Sequence, residues 1–469
     1  MRLQRSTDPE IIFFGAFMKV CKFGGTSLAS AGQVEKVYNI IAADPDRKIV
    51  VVSAPGKRFK DDTKVTDMLI SCASAFLLSG QVPTEEIAAV ADRFNMMASE
   101  LGLSQDIPAF VTKKLTSMFE NPEEDSDILS DSVKAMGEDF NARLVAEYFN
   151  SRGLRARYMD PKVAGLYLSD DFGNAVCLPE SFVNLRTVGD FDGITVFPGF
   201  YGYTHSGHIA TFSRGGSDIT GAVLAAAVSA DLYENFTDVD SVFAVNPKIV
   251  KNPRPIPEYT YREMRELAYM GFSVLHEDTL AAVYKAGIVV NIKNTNNPEA
   301  PGTFIVPERT NLDERTRVTG IASDNDFVMV DVTKYMMNRE IGFGRRLLQI
   351  LEEEKISYEH TPSGIDSISV IFRAHYATPA TMARIEERIY KELSADEVNI
   401  KHNICLISVV GEGMKKGIGF TARASLALAR AGVNIELLNQ GASEISILFG
   451  ILSDDEIKAV RALYYEFFG

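Results

Sequence analysis

Lys22-Phe23-Gly24-Gly25-Thr26-Ser27 concentrates more usable chemistry than any other stretch of this 469-residue chain. It leaves a short apolar run, Met18-Lys19-Val20-Cys21, and enters a helical pattern that begins near Ala31. The two glycines let backbone N–H groups approach an anion, the lysine adds a point charge, and the helix start adds a favourable dipole. Such a turn can hold phosphate. It lacks the Lys-Ser/Thr ending of a P-loop and the third glycine of a dinucleotide fingerprint. Taken alone, these residues also suit an ordinary tight strand-to-helix turn.

A second cluster, Arg214-Gly215-Gly216-Ser217-Asp218, follows the strand-like Ile209-Ala210-Thr211-Phe212 and opens an Ala-rich helix from Ile219 to Ala230. A third, Phe236-Thr237-Asp238-Val239-Asp240, ends a strand over 231–236. Polar clusters at the C-terminal ends of three strands fit the crevice of an open α/β sheet, where ligands bind.

With Met136-Gly137-Glu138 in the middle and Leu438-Asn439-Gln440-Gly441-Ala442-Ser443-Glu444-Ile445 near the end, these motifs appear in an order that resembles the aspartokinases of the amino-acid kinase superfamily. The resemblance runs from about Met18 to the C-terminus. It implies ATP-dependent phosphorylation of the L-aspartate β-carboxylate, the first step of lysine, threonine and methionine biosynthesis. It also implies a three-layer α/β/α kinase domain followed by two ferredoxin-like ACT domains that sense amino acids.

A carboxylate nucleophile is ionised near neutral pH, so this chemistry needs no general base. His205 and His208 accordingly have surface or packing roles. Positioning and charge stabilisation carry the transfer, because two anions must be brought together. Under the resemblance, Lys22 neutralises the transferring phosphoryl group and the Gly24 and Gly25 amides cradle it. Arg214 offers a planar fork for the α-carboxylate of aspartate. Glu138 receives the α-ammonium, Ser53, Thr66 and Ser217 are substrate-contacting hydroxyls, and Asp218 orients Lys22 or the ammonium. Mg²⁺ bridges the nucleotide phosphates, with no metal site built from protein side chains.

The nucleotide side departs from the family. Thr237 and Asp238 match it, but Phe243 stands where a tyrosine is usual, and Asn246-Pro247-Lys248 replaces Asp-Pro-Arg. Ser273 takes the place of a nucleotide-binding lysine. An acetylglutamate or glutamate kinase is one rival reading, and a decayed, non-catalytic amino-acid sensor is another. Retention of Lys22, Glu138, Arg214 and Asp218 argues against the second.

Composition sets the wider bounds. A net charge of −15 argues against nucleic acid or an anionic membrane as partner. Cys21, Cys72, Cys177 and Cys405 are widely spaced, which points to a reducing cytoplasm and away from disulfides or a metal cluster. No apolar run approaches the ~20 residues that span a membrane.

The elements that must position these residues alternate strand and helix. Lys48–Val52 is a continuous β-branched run, as in a parallel strand buried on both faces, and Val34, Val37, Ile40 and Ile41 give the preceding helix one apolar stripe. The βαβ rhythm predicts a mostly parallel sheet covered by helices. Residues 1–17 read as an N-terminal extension, 18–307 as the catalytic domain, and 307–317 contains a charged linker. Beyond it, strand–helix–strand recurs at 327–332, 344–355 and 356–358, and again at 405–410, 421–431 and 433–435. These repeats resemble paired ACT modules, over 318–395 and 403–469. Such modules generally pair across subunits, which implies a homodimer or homotetramer. The resemblance also implies feedback by an amino acid, with lysine first and threonine second. Its contacts would be Met337, Gly342 and Phe343 in one loop and Glu359 on a strand facing it. The chain ends at Gly469 without a homoserine dehydrogenase extension, so a monofunctional enzyme is expected.

Overall fold

The computed structural model describes residues 17–104, 106–213, 215–272, 275, 277–309, 317–415, 417–441 and 445–469. The expected extension, apart from residue 17, lies outside these, as do Arg214 and Ser273. The described chain divides into two compact units. One comprises residues up to Val242 with Leu275–Pro307, and the other Phe243–Val274 with Glu308–Gly469. The segment 243–274 therefore groups with the C-terminal residues.

In the first unit, seven strands lie side by side. They are β1 (Lys19–Phe23), β2 (Arg47–Val52), β3 (Ala156–Tyr158), β4 (Ile194–Pro198), β5 (Leu232–Thr237), β6 (Val289–Asn294) and β7 (Thr303–Val306). Their order is β3-β4-β2-β1-β5-β6-β7. Neighbours run parallel except for the last pair, β6 and β7. β1 and β2 are buried along most of their length, and Phe23 stacks on Phe236 at 4.7 Å, so apolar side chains rather than loops fix the sheet's centre. The helices that matter for the site are α1 (Ala31–Ala42), α2 (Val65–Ser79), α3 (Thr84–Glu100), α4 (Ser126–Ser151) and α5 (Gly216–Ala227).

One expectation changes. The strand before Arg214 does not join this sheet: Ile209–Thr211 pairs with Tyr201–Tyr203 in a separate two-stranded ribbon. Gly199-Phe200 explains this, because the chain turns back immediately after β4, with Phe200 at φ +75°.

The second unit holds one antiparallel sheet. Its strands are β8 (Gly320–Thr333), β9 (Tyr358–His360), β10 (Ser367–Arg373), β11 (Glu397–Val410), β12 (Leu437–Asn439) and β13 (Ser446–Leu452), in the order β9-β10-β8-β11-β13-β12. Each sequence repeat supplies three strands and carries a helix after its first, α6 (Phe343–Glu353) or α7 (Phe420–Arg430). The second strand of each repeat begins later than its sequence pattern predicts, at 358 rather than 356 and at 437 rather than 433. Lys355 and Gly432 take left-handed conformations, and the next residues, Ile356 and Val433, donate their amides to Leu351 and Leu428. Those apolar residues close the helices and are buried there, so they do not begin the strands.

Candidate active site

Lys22, near the C-terminal end of β1, is only 8% exposed, and its Nζ lies 2.6 Å from Asp218 Oδ1. The parallel register sets Lys22 beside Asn235 of β5, and Asn235 Nδ2 donates to the same Asp218 oxygen at 2.9 Å. Asp218 stands in the first turn of α5, which Gly215 opens at φ +83°. The Asp218 carboxylate thus accepts from both the Lys22 ammonium and the Asn235 amide. Asn235 escaped the sequence reading. Its signal was a polar residue inside a strand that is otherwise buried.

The glycine turn is reshaped in two respects. The Gly24 amide continues the parallel ladder by donating to Phe236 O at 3.2 Å, so it is not free to cradle phosphate. Ser27 is buried and accepts a 2.7 Å hydrogen bond from Thr295 Oγ1. Gly25 opens the 3₁₀ turn Gly25–Leu28, where an amide has no earlier turn to bond. Thr26 is exposed.

Glu138 lies midway along α4, buried. Gly137 beside it lets the helix approach closely, since a Cβ there would stand 2.8 Å from Ala54 Cβ. Across that contact the Ala54 amide donates to Glu138 Oε1 at 2.9 Å, and one turn on, Asn141 Nδ2 donates to Ser53 O at 2.7 Å. Glu138 Oε2 is buried with no hydrogen-bond partner among the described residues. Burial pushes the Glu138 carboxyl up to about 8, against the opposing pull of the Ala54 amide and the Lys22 charge. Once ionised, a buried carboxyl with one orphan oxygen can accept hydrogen bonds from a cation.

Ser53 follows β2 and Thr66 stands in the first turn of α2, both half-buried. Ser217 is buried against Gly199, where a Cβ would lie 2.7 Å from the serine hydroxyl, so packing holds it as well. Thr237 ends β5, its hydroxyl 3.3 Å from the carboxylate of exposed Asp238. Phe243 and Lys248 belong to the second unit. Phe243 is half-buried and bridges Pro255, whereas Lys248 is exposed. Among the described residues, no group of three or more His, Cys, Asp or Glu is arranged to hold a metal ion. A cavity of about 480 Å³ in the first unit is lined by Val176, Phe182, Phe212, Ile219, Val223 and Lys285 among others, and by none of the candidate residues.

Of the expected effector contacts, Met337 and Phe343 pack in the core of the first repeat. Gly342 remains exposed at φ +81°. Glu359 is not a free carboxylate: Arg373 Nε lies 3.2 Å from its Oε1, and the same guanidinium pairs with Asp324 at 2.7 Å.

Comparison with known proteins identifies the family and the fold. Residues 18–294 match the model of the amino acid kinase family, and 407–467 match that of an ACT domain. Over 451 residues the chain is 52% identical to aspartokinase 3 of Bacillus subtilis (strain 168), covering 96% of this chain and 99% of that protein. The aspartate kinase of Clostridium acetobutylicum superposes with a TM-score of 0.82 at 36% identity, covering 96% of this chain and all (100%) of that one. E. coli aspartokinase III, in complex with aspartate and ADP, gives 0.76 at 23% identity, with the same coverage of 96% and 100%.

Proposed function

This chain belongs to the amino acid kinase family as an aspartokinase, and on that premise we propose how its residues share the transfer of a phosphoryl group from ATP to the aspartate β-carboxylate. Lys22 neutralises charge building on the transferred group, aimed by Asp218 and Asn235. The Gly25 side of the turn faces the phosphate. Glu138 receives the α-ammonium of aspartate, Arg214 its α-carboxylate, and Ser53, Thr66 and Ser217 bind its remaining polar atoms. Thr237 and Asp238 serve the nucleotide. Mg²⁺ bound with the nucleotide would supply charge neutralisation at its phosphates.

The observation that carries this assignment is the orphan Oε2 of Glu138. Leaving a buried acceptor unpaired costs about 1–3 kcal/mol, which a bound ammonium relieves. Release of ADP in a coupled assay tests it. Aspartate should support release, whereas glutamate and N-acetylglutamate should not, and a wild-type enzyme silent with aspartate would refute the assignment.

Feedback by an amino acid, lysine first, belongs to the same proposal. Exposed backbone at Gly342 would hold the effector's carboxylate. Glu359 would receive its amino group by exchanging partners with Arg373. Assembly into a homodimer or homotetramer through the second unit is supported by Ile341 and Ile418, each 99% exposed at matching places in the two repeats. The four cysteines are free, which suits a reducing cytoplasm. Among the described residues no helix is long and apolar enough to cross a membrane.

A further inference from the structure

Arg93 interrupts the apolar face of α3. Its neighbours on that face, Val90, Phe94 and Met97, are core residues, yet the guanidinium is buried with them and only 3% exposed. Burying such a charge is costly unless its donors and its charge are both met. Three acceptors on two chain segments meet the charge and both Nη groups, while Nε has no hydrogen-bond partner among the described residues. Arg93 Nη1 donates to Asp62 Oδ2 at 2.8 Å, and Nη2 donates to Ala29 O at 3.0 Å and to Gly56 O at 2.7 Å.

Those acceptors are not scattered. Ala29 closes the turn that begins at Gly25, on the phosphate side. Gly56 and Asp62 belong to the loop between β2 and α2, which starts at Ser53 and carries the Ala54 amide that fixes Glu138. The same two segments also touch directly. The Gly56 amide donates to Gly25 O at 2.8 Å, and a Cβ at 56 would lie 2.6 Å from Gly25 C. Asp62 is held in turn by Arg58, whose Nε and Nη2 each donate at 2.8 Å and whose amide donates at 2.9 Å. The Arg58 and Arg93 guanidinia hold its carboxyl well below the usual carboxylate range.

We propose that Arg93 and Asp62 are positioning residues for phosphoryl transfer, locking the turn that receives the phosphate to the loop that receives aspartate. Neither side chain serves as a ligand in the substrate assignments above, on which the inference rests. The pair acts by alignment: each substrate can still occupy its half-site when the tie is cut, but the reacting atoms no longer meet in line. A misplacement of about 1 Å can cost on the order of 10²-fold in rate. Lysine at position 93 could answer Asp62, but a single ammonium cannot span two carbonyls from different segments as the planar fork does.

The test is steady-state ADP release by the full-length enzyme with ATP and aspartate varied in turn, for wild type, Arg93→Lys and Asp62→Asn. Thermal melts followed by circular dichroism run alongside. In both variants kcat should fall about tenfold or more, with each KM within about threefold of wild type, at a temperature where the melts show a folded protein. Wild-type kcat in Arg93→Lys would overturn the proposal, as would a loss confined to one KM or one that merely tracks the unfolded fraction. Should a single variant fail to fold, the double variant Arg93→Met with Asp62→Leu removes both buried charges at similar volume, and wild-type kcat there would overturn it equally. Wild type itself separates the two claims. No aspartate-dependent ADP release means that the reaction has been misread, whereas an active wild type with an equally active Arg93→Lys sinks this inference alone.

Discussion

Glu138 carries a pH dependence whose sign follows from its burial. Its folded pKa of about 8 stands above the ordinary glutamate value of about 4.3. The free enzyme therefore holds a proton there at neutral pH, while the substrate ammonium requires the ionised form. Binding aspartate must expel that proton, so kcat/KM for aspartate should climb from about pH 6, reach half its plateau near about pH 8 and level off above about pH 9. Glu138→Gln should abolish that limb; a limb of unchanged height in the variant would assign it to another group. Stability should run the other way. The folded state binds this proton more tightly than the unfolded one, so the group's stabilisation is complete below about pH 4 and is lost as pH rises through about 8. Denaturant midpoints of wild type and Glu138→Gln should diverge across that window. At this scale the sequence marked Lys22, Gly25, Glu138 and Asp218 by type and motif. The Ala54 amide was not legible, because a backbone donor leaves no trace in residue identity. Gly24 was misread because its amide serves the sheet.

On the proposed alignment, the two sides of the site depend on the loop between β2 and α2, where Gly56 sits in close backbone contact. A Cβ there would meet only backbone, at 2.6–2.8 Å from Gly25 and Thr26, so no side chain can swing aside. Gly56→Ala should destabilise by about 1–3 kcal/mol in urea unfolding and depress kcat more than its stability loss explains. Gly32→Ala on α1 is the contrast. Nothing lies within 4 Å of that Cβ, and the change should be neutral or stabilising by up to about 1 kcal/mol. Equal costs at the two positions would mean that close backbone approach is not what Gly56 provides. The parallel strands were legible as β-branched runs because burial on both faces leaves no alternation to misread. Ile209–Thr211 was legible as a strand too, but its pairing with Tyr201–Tyr203 outside the main sheet was not, because no local pattern encodes the partner. Ile356 and Val433 misled for a related reason: an apolar residue that closes a helix looks the same in sequence as one that opens a strand.

At the scale of the molecule, the two repeats of the second unit share a device between first strand and helix. Ile341-Gly342-Phe343 and Ile418-Gly419-Phe420 each place a left-handed glycine before a helix, bury the phenylalanine and expose the isoleucine. Two fully exposed isoleucines invite a partner surface. Ile341→Asp should therefore shift sedimentation velocity towards a smaller species, and an unchanged profile would move the contact elsewhere. Wild-type activity should fall in millimolar lysine, and Glu359→Ala should raise the concentration required. Indifference of wild type to lysine, alone or with threonine, would remove the regulatory claim and leave the catalytic one standing. The repeat was legible because its strands and helices recur in order; the joining of both copies into one sheet, through β8 and β11, depends on pairing that no local pattern encodes.

The central claim is that charge on the phosphoryl group and charge on the amino acid are handled by different residues, Lys22 and Glu138. Initial rates of ADP release with both substrates varied, compared between Lys22→Ala and Glu138→Gln, address it directly. Lys22→Ala should lower kcat by about 10²–10³-fold with little change in the aspartate KM. Glu138→Gln should chiefly raise the aspartate KM. Near wild-type turnover in Lys22→Ala, or a Glu138→Gln defect confined to the ATP KM, would contradict the account.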